Sequence, residues 1–303
     1  MSEILTTHEL CKRYRKHLAL DKLSMSVPEG SVYALLGANG AGKTTALKLM
    51  MNLHPPTAGS AKVLGIDTRE LQGRHFEQIG YVSENQDQPG WMTLAYLLKY
   101  LKPFYPTWDD ERAAELIKQF RLPLDRPIKH FSRGMQMKAS LASSLAYNPK
   151  LLVLDEPFSG LDPLTREELI EALLECSPQT SIVVSSHDLA DIESFASHIG
   201  YLHYGHLEFS EELSQLSARF REMVVTLDSP DMPAPWPAHW LRPESSPAVV
   251  RFVETHFDPD RTLGEIRLLF RGVTHIEANP MPLRSIFLTL ARETPVAAPG
   301  VAA

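Results

Sequence analysis

An α/β fold built on a largely parallel sheet is what the sequence predicts, and three observations carry that expectation. Short apolar runs rich in β-branched residues alternate with helical segments from the N-terminus to about residue 220. One such run, VYALLG (32–37), leads directly into the glycine-rich ANGAGKTT and then into the helix-like ALKLMMNL. Two others, LLVLDEP (151–157) and SIVVSSHD (181–188), stay apolar until they end in acids or polar residues, as buried parallel strands do where they emerge.

Between the first and second of these strands the pattern becomes helical. TLAYLLKYLKPF (93–104) and WDDERAAELIKQF (108–120) are amphipathic, the second with Thr107 as cap and acids in its first turn. Pro103, Pro106, Pro123 and Pro127 separate the pieces, so residues from about 87 to 148 read as an inserted helical subdomain. Its last part, HFSRGMQMKAS (130–140), is a helix start with Ser132 as cap. After about residue 220 the composition shifts. DSPDMPAPWPAHWLRPESSP (228–247) carries six prolines and two tryptophans and is a poor candidate for regular structure. A strand (VVRFVETHF, 249–257), a helix (TLGEIRLLF, 262–270), a strand (VTHIEA, 273–278) and a helix (PLRSIFLTLAR, 282–292) follow. The expected division is a domain over 1–222, a small α/β accessory domain over 223–293 with Trp236 and Trp240 in its packing, and a disordered tail over 294–303.

Composition narrows the function classes. A formal charge of -7 argues against a protein that lives on nucleic acid by neutralising phosphates. Cys11 and Cys176 are far apart and read as ordinary thiols of a reducing compartment. The N-terminal MSEILTTHEL lacks a basic region followed by an apolar core, so no secretion signal is expected. No apolar run approaches the roughly 20 residues of a membrane helix. The histidines show no recurring metal-ligand spacing, and no metal beyond Mg²⁺ is expected.

GANGAGKT (37–44) fits G-x-x-x-x-G-K-[ST], with a strand before it and a helix after it. Gly37, Gly40 and Gly42 let backbone N–H groups curl around phosphate oxygens, with Asn39, Ala41 and Thr45 in the same binding stretch. The helix N-terminus adds the positive end of its dipole. Lys43 is then placed to reach β- and γ-phosphates, and the Thr44 hydroxyl to ligate Mg²⁺. In LLVLDEP, Asp155 is the expected second Mg²⁺ ligand and Glu156 the general base that polarises the attacking water. His187, at the exit of an apolar strand, is placed to donate to the γ-phosphate and sense its loss.

Phosphate loop, helical insertion, SRGMQ, LLVLDEP, SGLD (159–162) and a strand ending in His resemble, in this order, the nucleotide-binding subunits of ABC transporters over roughly residues 3–220. The resemblance implies a P-loop NTPase fold of the ABC ATPase type: a RecA-like parallel sheet core, an antiparallel β subdomain and a helical subdomain. It further implies two such domains dimerising head to tail around two ATP molecules. By position, Tyr14 matches the aromatic that stacks on adenine. Ser132 and Gly134 match the signature that faces the γ-phosphate of the opposite subunit, Asp162 the loop that crosses the interface, and His187 the switch histidine. Two motifs depart from the family pattern. FSRGM stands where LSGGQ is usual, so Arg133 replaces a glycine and Met135 a glutamine, and Arg133 is expected to point outward. In IGYVSENQDQ (79–88) Glu84 stands where a glutamine usually contacts Mg²⁺, and Glu84 and Gln86 are both candidates for that role.

The implied function is an ATP-hydrolysing subunit using ATP and Mg²⁺ and driving transport through a separately encoded transmembrane permease. The implied location is the cytoplasmic face of the membrane, and no nucleic-acid partner is expected. One ATPase domain with a small C-terminal appendage is similar to bacterial exporter or drug-resistance subunits. Two alternatives stay open: a soluble ABC ATPase of DNA repair or translation, and a catalytically weak half of a heterodimeric transporter ATPase.

Overall fold

The computed structural model describes residues 2–84, 88–176, 178–228 and 236–293. Gln86 and the tail 294–303 lie outside the described residues. The chain divides into two compact units between Glu211 and Glu212. Composition put this boundary later, at 222/223. The division falls earlier because the helix Leu213–Arg219 leads straight into the strand Arg221–Leu227 of the second unit's sheet.

In chain order the first unit begins β1 (Glu3–Tyr14), β2 (His17–Pro28), β3 (Val32–Leu36), α1 (Lys43–Met50), β4 (Ala58–Val63), β5 (Ile66–Asp67), α2 (Gly73–Phe76), β6 (Ile79–Ser83). It continues α3 (Leu94–Leu101), α4 (Asp110–Gln119), α5 (Arg133–Leu145), β7 (Leu151–Asp155), α6 (Pro163–Cys176), β8 (Ser181–Ser186), β9 (His198–His203), β10 (His206–Glu212). One sheet has the antiparallel order β2-β1-β4-β5 and the other the order β10-β9-β3-β8-β7-β6. Within the second, β9, β3, β8, β7 and β6 run parallel. Every residue of β3, β7 and β8 is buried, which is why their centres read as apolar runs. Tyr33, Leu35, Leu47, Leu151, Val153 and Val183 form the centre of this core.

Register decides where chemistry can gather. Leu36 pairs with Ser186, Asp155 with Ser185 and Ser83 with Asp155. The C-terminal ends of β3, β8, β7 and β6 therefore lie level, and the segments leaving them start from one edge, where open α/β sheets bind ligands.

In the helical subdomain the cap of α4 is Asp109, not Thr107. Asp109 Oδ1 accepts from the N–H groups of Glu111 and Arg112, while the Thr107 hydroxyl donates to the Tyr147 carbonyl at 2.6 Å. A carboxylate at this position serves both the orphan donors and the positive end of the helix dipole. Ser132 caps α5 as expected, accepting from Met135 N at 3.2 Å. Cys11 and Cys176 are free thiols, and burial pushes Cys176 up to about 11.

The second unit runs α7 (Leu213–Arg219), β11 (Arg221–Leu227), β12 (Trp240–Ser245), β13 (Val249–Glu254), α8 (Pro259–Leu269), β14 (Val273–Pro280), α9 (Leu283–Glu293). Its antiparallel sheet has the order β12-β13-β11-β14. Strand β12 lies inside the proline-rich segment expected to lack regular structure. Pro243 is accommodated because β12 is an edge strand whose register shifts between Leu241 and Glu244, with Arg242 at φ 51°. Helix α8 starts at Pro259, ahead of the expected 262, because Asp258 caps it and proline suits the first helical position. Trp240 stacks on Phe252 at 4.1 Å, and Trp236 meets Trp240 edge-on at 5.9 Å, so both indoles pack in the core. Among the described residues no helix is long and apolar enough to cross a membrane.

Candidate active site

The chain leaves β3 at Gly37, turns through Gly42 and enters α1 at Lys43. Gly42 has φ 109°, and a Cβ there would lie 2.6 Å from the Ala19 carbonyl oxygen, so no other residue fits the turn. The Lys43 ammonium is buried. It donates to the carbonyls of Gly37 (2.6 Å) and Ala38 (3.2 Å) and pairs with Glu156 Oε1 at 3.0 Å. The Thr44 hydroxyl donates to Asp155 Oδ1 at 3.0 Å, and Ser185 Oγ donates to the same oxygen at 2.8 Å. Ser185 Oγ in turn accepts from Glu156 N at 2.9 Å.

Glu156 sits at φ 53°, a left-handed conformation that re-aims the chain immediately after Asp155. Consecutive carboxylates thereby meet different partners. Asp155 takes hydroxyls, whereas Glu156 lies between Lys43 and the Nδ1 of His187, which is 2.8 Å from Oε2.

A cavity of about 370 Å³ brings together Tyr14, Asn39, Gly40, Ala41, Gly42, Lys43, Thr44, Thr45, Glu84 and Glu156, joined by His17 and Ala19. Gly37 stands behind it through its bond to Lys43, Asp155 through Thr44, and His187 through Glu156. Tyr14 is 40% exposed, with Lys12 Nζ 5.0 Å from its ring centroid and His54 edge-on at 6.3 Å. A hydroxyl and a carboxylate already in contact beside a loop of backbone donors suit a hard divalent cation carried by phosphates. Thr44 and Asp155 are the residues that could hold it.

Ser132, Gly134 and Asp162 are not among the residues lining that cavity. Ser132 is exposed at the start of α5. A Cβ on Gly134 would meet Thr165 Cγ2 at 3.0 Å, so this glycine lets α5 approach α6 closely. Asp162 accepts from Thr165 N at 3.0 Å and from Thr165 Oγ1 at 2.7 Å. Those bonds, the backbone one first, hold its carboxyl below the usual carboxylate range.

Arg133 does not simply point outward. Its guanidinium pairs with Glu84 and lies against Gly160, where a Cβ would meet Nη1 at 2.7 Å. Two of the three positions that depart from the family pattern, Arg133 and Glu84, are thus ion-paired with each other. Sequence reasoning missed this pair, and it also missed Ser185 and Thr165. Ser185 is one of three serines in β8 and carries no motif. Thr165 had a signal, an Asp three positions ahead of it at a helix start.

A second cavity of about 370 Å³ in the first unit is lined largely by apolar and aromatic side chains, among them Leu53, Phe76, Leu97, Tyr100 and Tyr147. Leu53 and Tyr100 are half-exposed at it.

Residues 20–159 match the family model described as ABC transporter. Over 231 residues the chain is 34% identical to the bacitracin transport ATP-binding protein BcrA of Enterococcus faecalis, covering 73% of each chain. It is 35% identical over 213 residues to the lantibiotic transport ATP-binding protein SrtF of Streptococcus pyogenes, covering 69% of this chain and 91% of that one. Among solved structures, a dimeric ATP-binding cassette in a post-hydrolysis state with ADP and Pi matches with a TM-score of 0.62. Identity there is 25%, over 69% of this chain and 98% of that one.

Proposed function

The chain belongs to the ABC transporter ATP-binding family, whose members are ATPases, and from that premise we propose that it powers export through a separately encoded membrane permease. In this reading two chains close head to tail on ATP and open after hydrolysis. The observation that carries it is the cluster in which buried Lys43 and exposed His187 hold Glu156 while Thr44 holds buried Asp155.

That cluster suggests an idle state that nucleotide undoes. Adenine would stack on Tyr14, and the phosphates would take the loop N–H groups. Lys43 would then exchange Glu156 for phosphate oxygens, a stronger anionic partner. The exchange frees Glu156 to accept a proton from water as the water oxygen bonds to the γ-phosphorus and the bond to the bridging oxygen breaks, leaving ADP. His187 keeps Glu156 aimed and stands beside the departing phosphate. When bound, Mg²⁺ would supply charge neutralisation to the phosphates. Thr44 and Asp155 would hold it, with Glu84 a third candidate that Arg133 now engages.

Support for a composite site comes from Ser132, an exposed cap whose own subunit's cavity does not include it. It would face the phosphate on Lys43 of another chain, with Gly134 beside it and Asp162 at the interface. The apolar groove at Leu53 and Tyr100 supports a permease partner, since it offers a place for a cytoplasmic helix to dock. The transport of bacitracin and lantibiotics named for the two relatives supports export, and with it a location on the cytoplasmic face of the membrane.

Replacing Glu156 by Gln should lower turnover by about 10²–10⁴-fold while ATP binding is kept. Unchanged turnover would remove the general-base role. Isolation of the chain from native membranes should bring an integral membrane protein with it. Ribosomes or DNA in its place would reverse the class.

A further inference from the structure

We infer that the second unit carries a binding site for a divalent transition-metal ion, zinc being the best match, formed by His239, Glu254 and Glu265. The three residues come from separate places. His239 directly precedes β12, Glu254 ends β13 and Glu265 lies on α8. Their donor atoms all lie within 4.8 Å of one another. His239 Nε2 is 3.1 Å from Glu265 Oε2 and 3.6 Å from Glu254 Oε2. Ligands roughly 2.0 Å from a tetrahedral zinc stand about 3.3 Å apart, between those two separations.

Charge gives a second and independent reason. The Glu254 side chain is 0% exposed, and burying a carboxylate is costly unless hydrogen bonds and a nearby cation compensate it. Among the described residues neither Glu254 nor Glu265 has a lysine or arginine at ion-pair distance. The nearby arginines make other bonds: Arg221, opposite Glu254 across the sheet, donates to the carbonyls of Ser217 (2.7 Å) and Phe220 (2.8 Å), Arg219 to the Thr255 carbonyl at 2.7 Å and Arg261 to the His256 carbonyl. Two carboxylates and one neutral imidazole match a 2+ ion.

The surroundings hold the ligands in place. Glu254 Oε1 accepts from His256 N at 2.7 Å, and Oε2 accepts from Trp240 Nε1 at 2.9 Å. The His239 carbonyl accepts from both Thr255 N (3.1 Å) and Thr255 Oγ1 (3.0 Å), which anchors the backbone beneath the imidazole. Such outer bonds orient metal ligands. His239 and Glu265 are partly exposed, which leaves a path for the ion and room for water in a fourth position. An imidazole in the set favours zinc over magnesium or calcium. Bound there, the ion would tie the start of β12 and the end of β13 to α8.

The test uses the full chain, cleared of metal by a chelator and kept without nucleotide or Mg²⁺. Zn²⁺ is titrated by calorimetry and followed by tryptophan fluorescence, because Trp240 bonds directly to Glu254. The expected result is one saturable Zn²⁺ per chain that raises the melting temperature and that Mg²⁺ and Ca²⁺ do not displace. Glu265→Gln and His239→Gln should each weaken that binding at least tenfold. Their melting without metal, compared with the parent chain, shows whether they remain folded. Absence of saturable binding in the parent chain would overturn the inference. Undiminished binding in both folded variants would overturn it equally.

Discussion

Each unit of the molecule gathers carboxylates at a strand end, and the partners supplied to them differ. At the end of β7, Glu156 faces a lysine and a histidine while Asp155 faces two hydroxyls. At the end of β13, buried Glu254 receives an indole N–H, a backbone N–H and an imidazole, and among the described residues no lysine or arginine stands at ion-pair distance from it. The first arrangement already contains a cation that an incoming phosphate can claim, so it suits an anionic ligand accompanied by its own metal. The second has excess negative charge and suits a bare cation. Strand ends concentrate acids in both places, and the neighbouring donors decide what can bind.

The contrast can be broken most severely at its lysine. Lys43→Met should reduce ATP turnover by roughly 10²–10³-fold or more, since it removes the ammonium expected on the transferring phosphate. Steady-state ATPase rates measure this, and near-normal turnover would mean that Lys43 serves only to neutralise Glu156. Next in size, Glu265→Gln should weaken Zn²⁺ binding about 10–100-fold while leaving ATP turnover unchanged, which separates the two clusters functionally. A parallel loss of ATPase activity would show that they are not independent.

The pair of Arg133 and Glu84 should give a smaller effect, because both side chains are partly exposed. A double-mutant cycle with Arg133→Ala and Glu84→Ala, read by denaturant unfolding, should yield a coupling of about 0.2–1 kcal/mol. Zero coupling would return Arg133 to the outward-facing role first expected of it.

The smallest effect concerns Asp162, a carboxylate served by a helix N-terminus and a threonine hydroxyl. Its carboxyl is held low by Thr165, so its contribution is present above the ordinary carboxylate range near about 3.9 and fades as pH falls through the lowered folded value. Asp162→Asn should therefore melt below the parent chain at pH 7, with the gap closing toward pH 3. A gap independent of pH would show that the charge is not involved.

Legibility followed the distance over which each feature is written. The phosphate loop, the Asp155–Glu156 pair and the strands that carry them are contiguous stretches with local physics, and they stand where periodicity and motif put them. The level ends of β3, β7 and β8 then bring Lys43, Asp155, Glu156 and His187 together, as their order along the chain suggested. Elsewhere tertiary context outweighed local signals. The prolines around Trp240 concealed an edge strand that a bulge makes possible. Thr107 lost the cap of α4 to Asp109, a better acceptor two residues on. The contact of Arg133 with Glu84 spans 49 positions and depends on how α5 meets the end of β6. His239, Glu254 and Glu265 follow no metal-ligand spacing, because a strand register and a helix unite them.

The central claim is that Ser132 and Lys43 complete a site only across two chains. Sedimentation of the Glu156→Gln protein with and without ATP tests it most directly. The account predicts monomers without nucleotide and a dimer holding two ATP molecules when it is present, with Ser132→Arg abolishing the dimer but not ATP binding. A Glu156→Gln chain that binds ATP and remains monomeric at every concentration would contradict it.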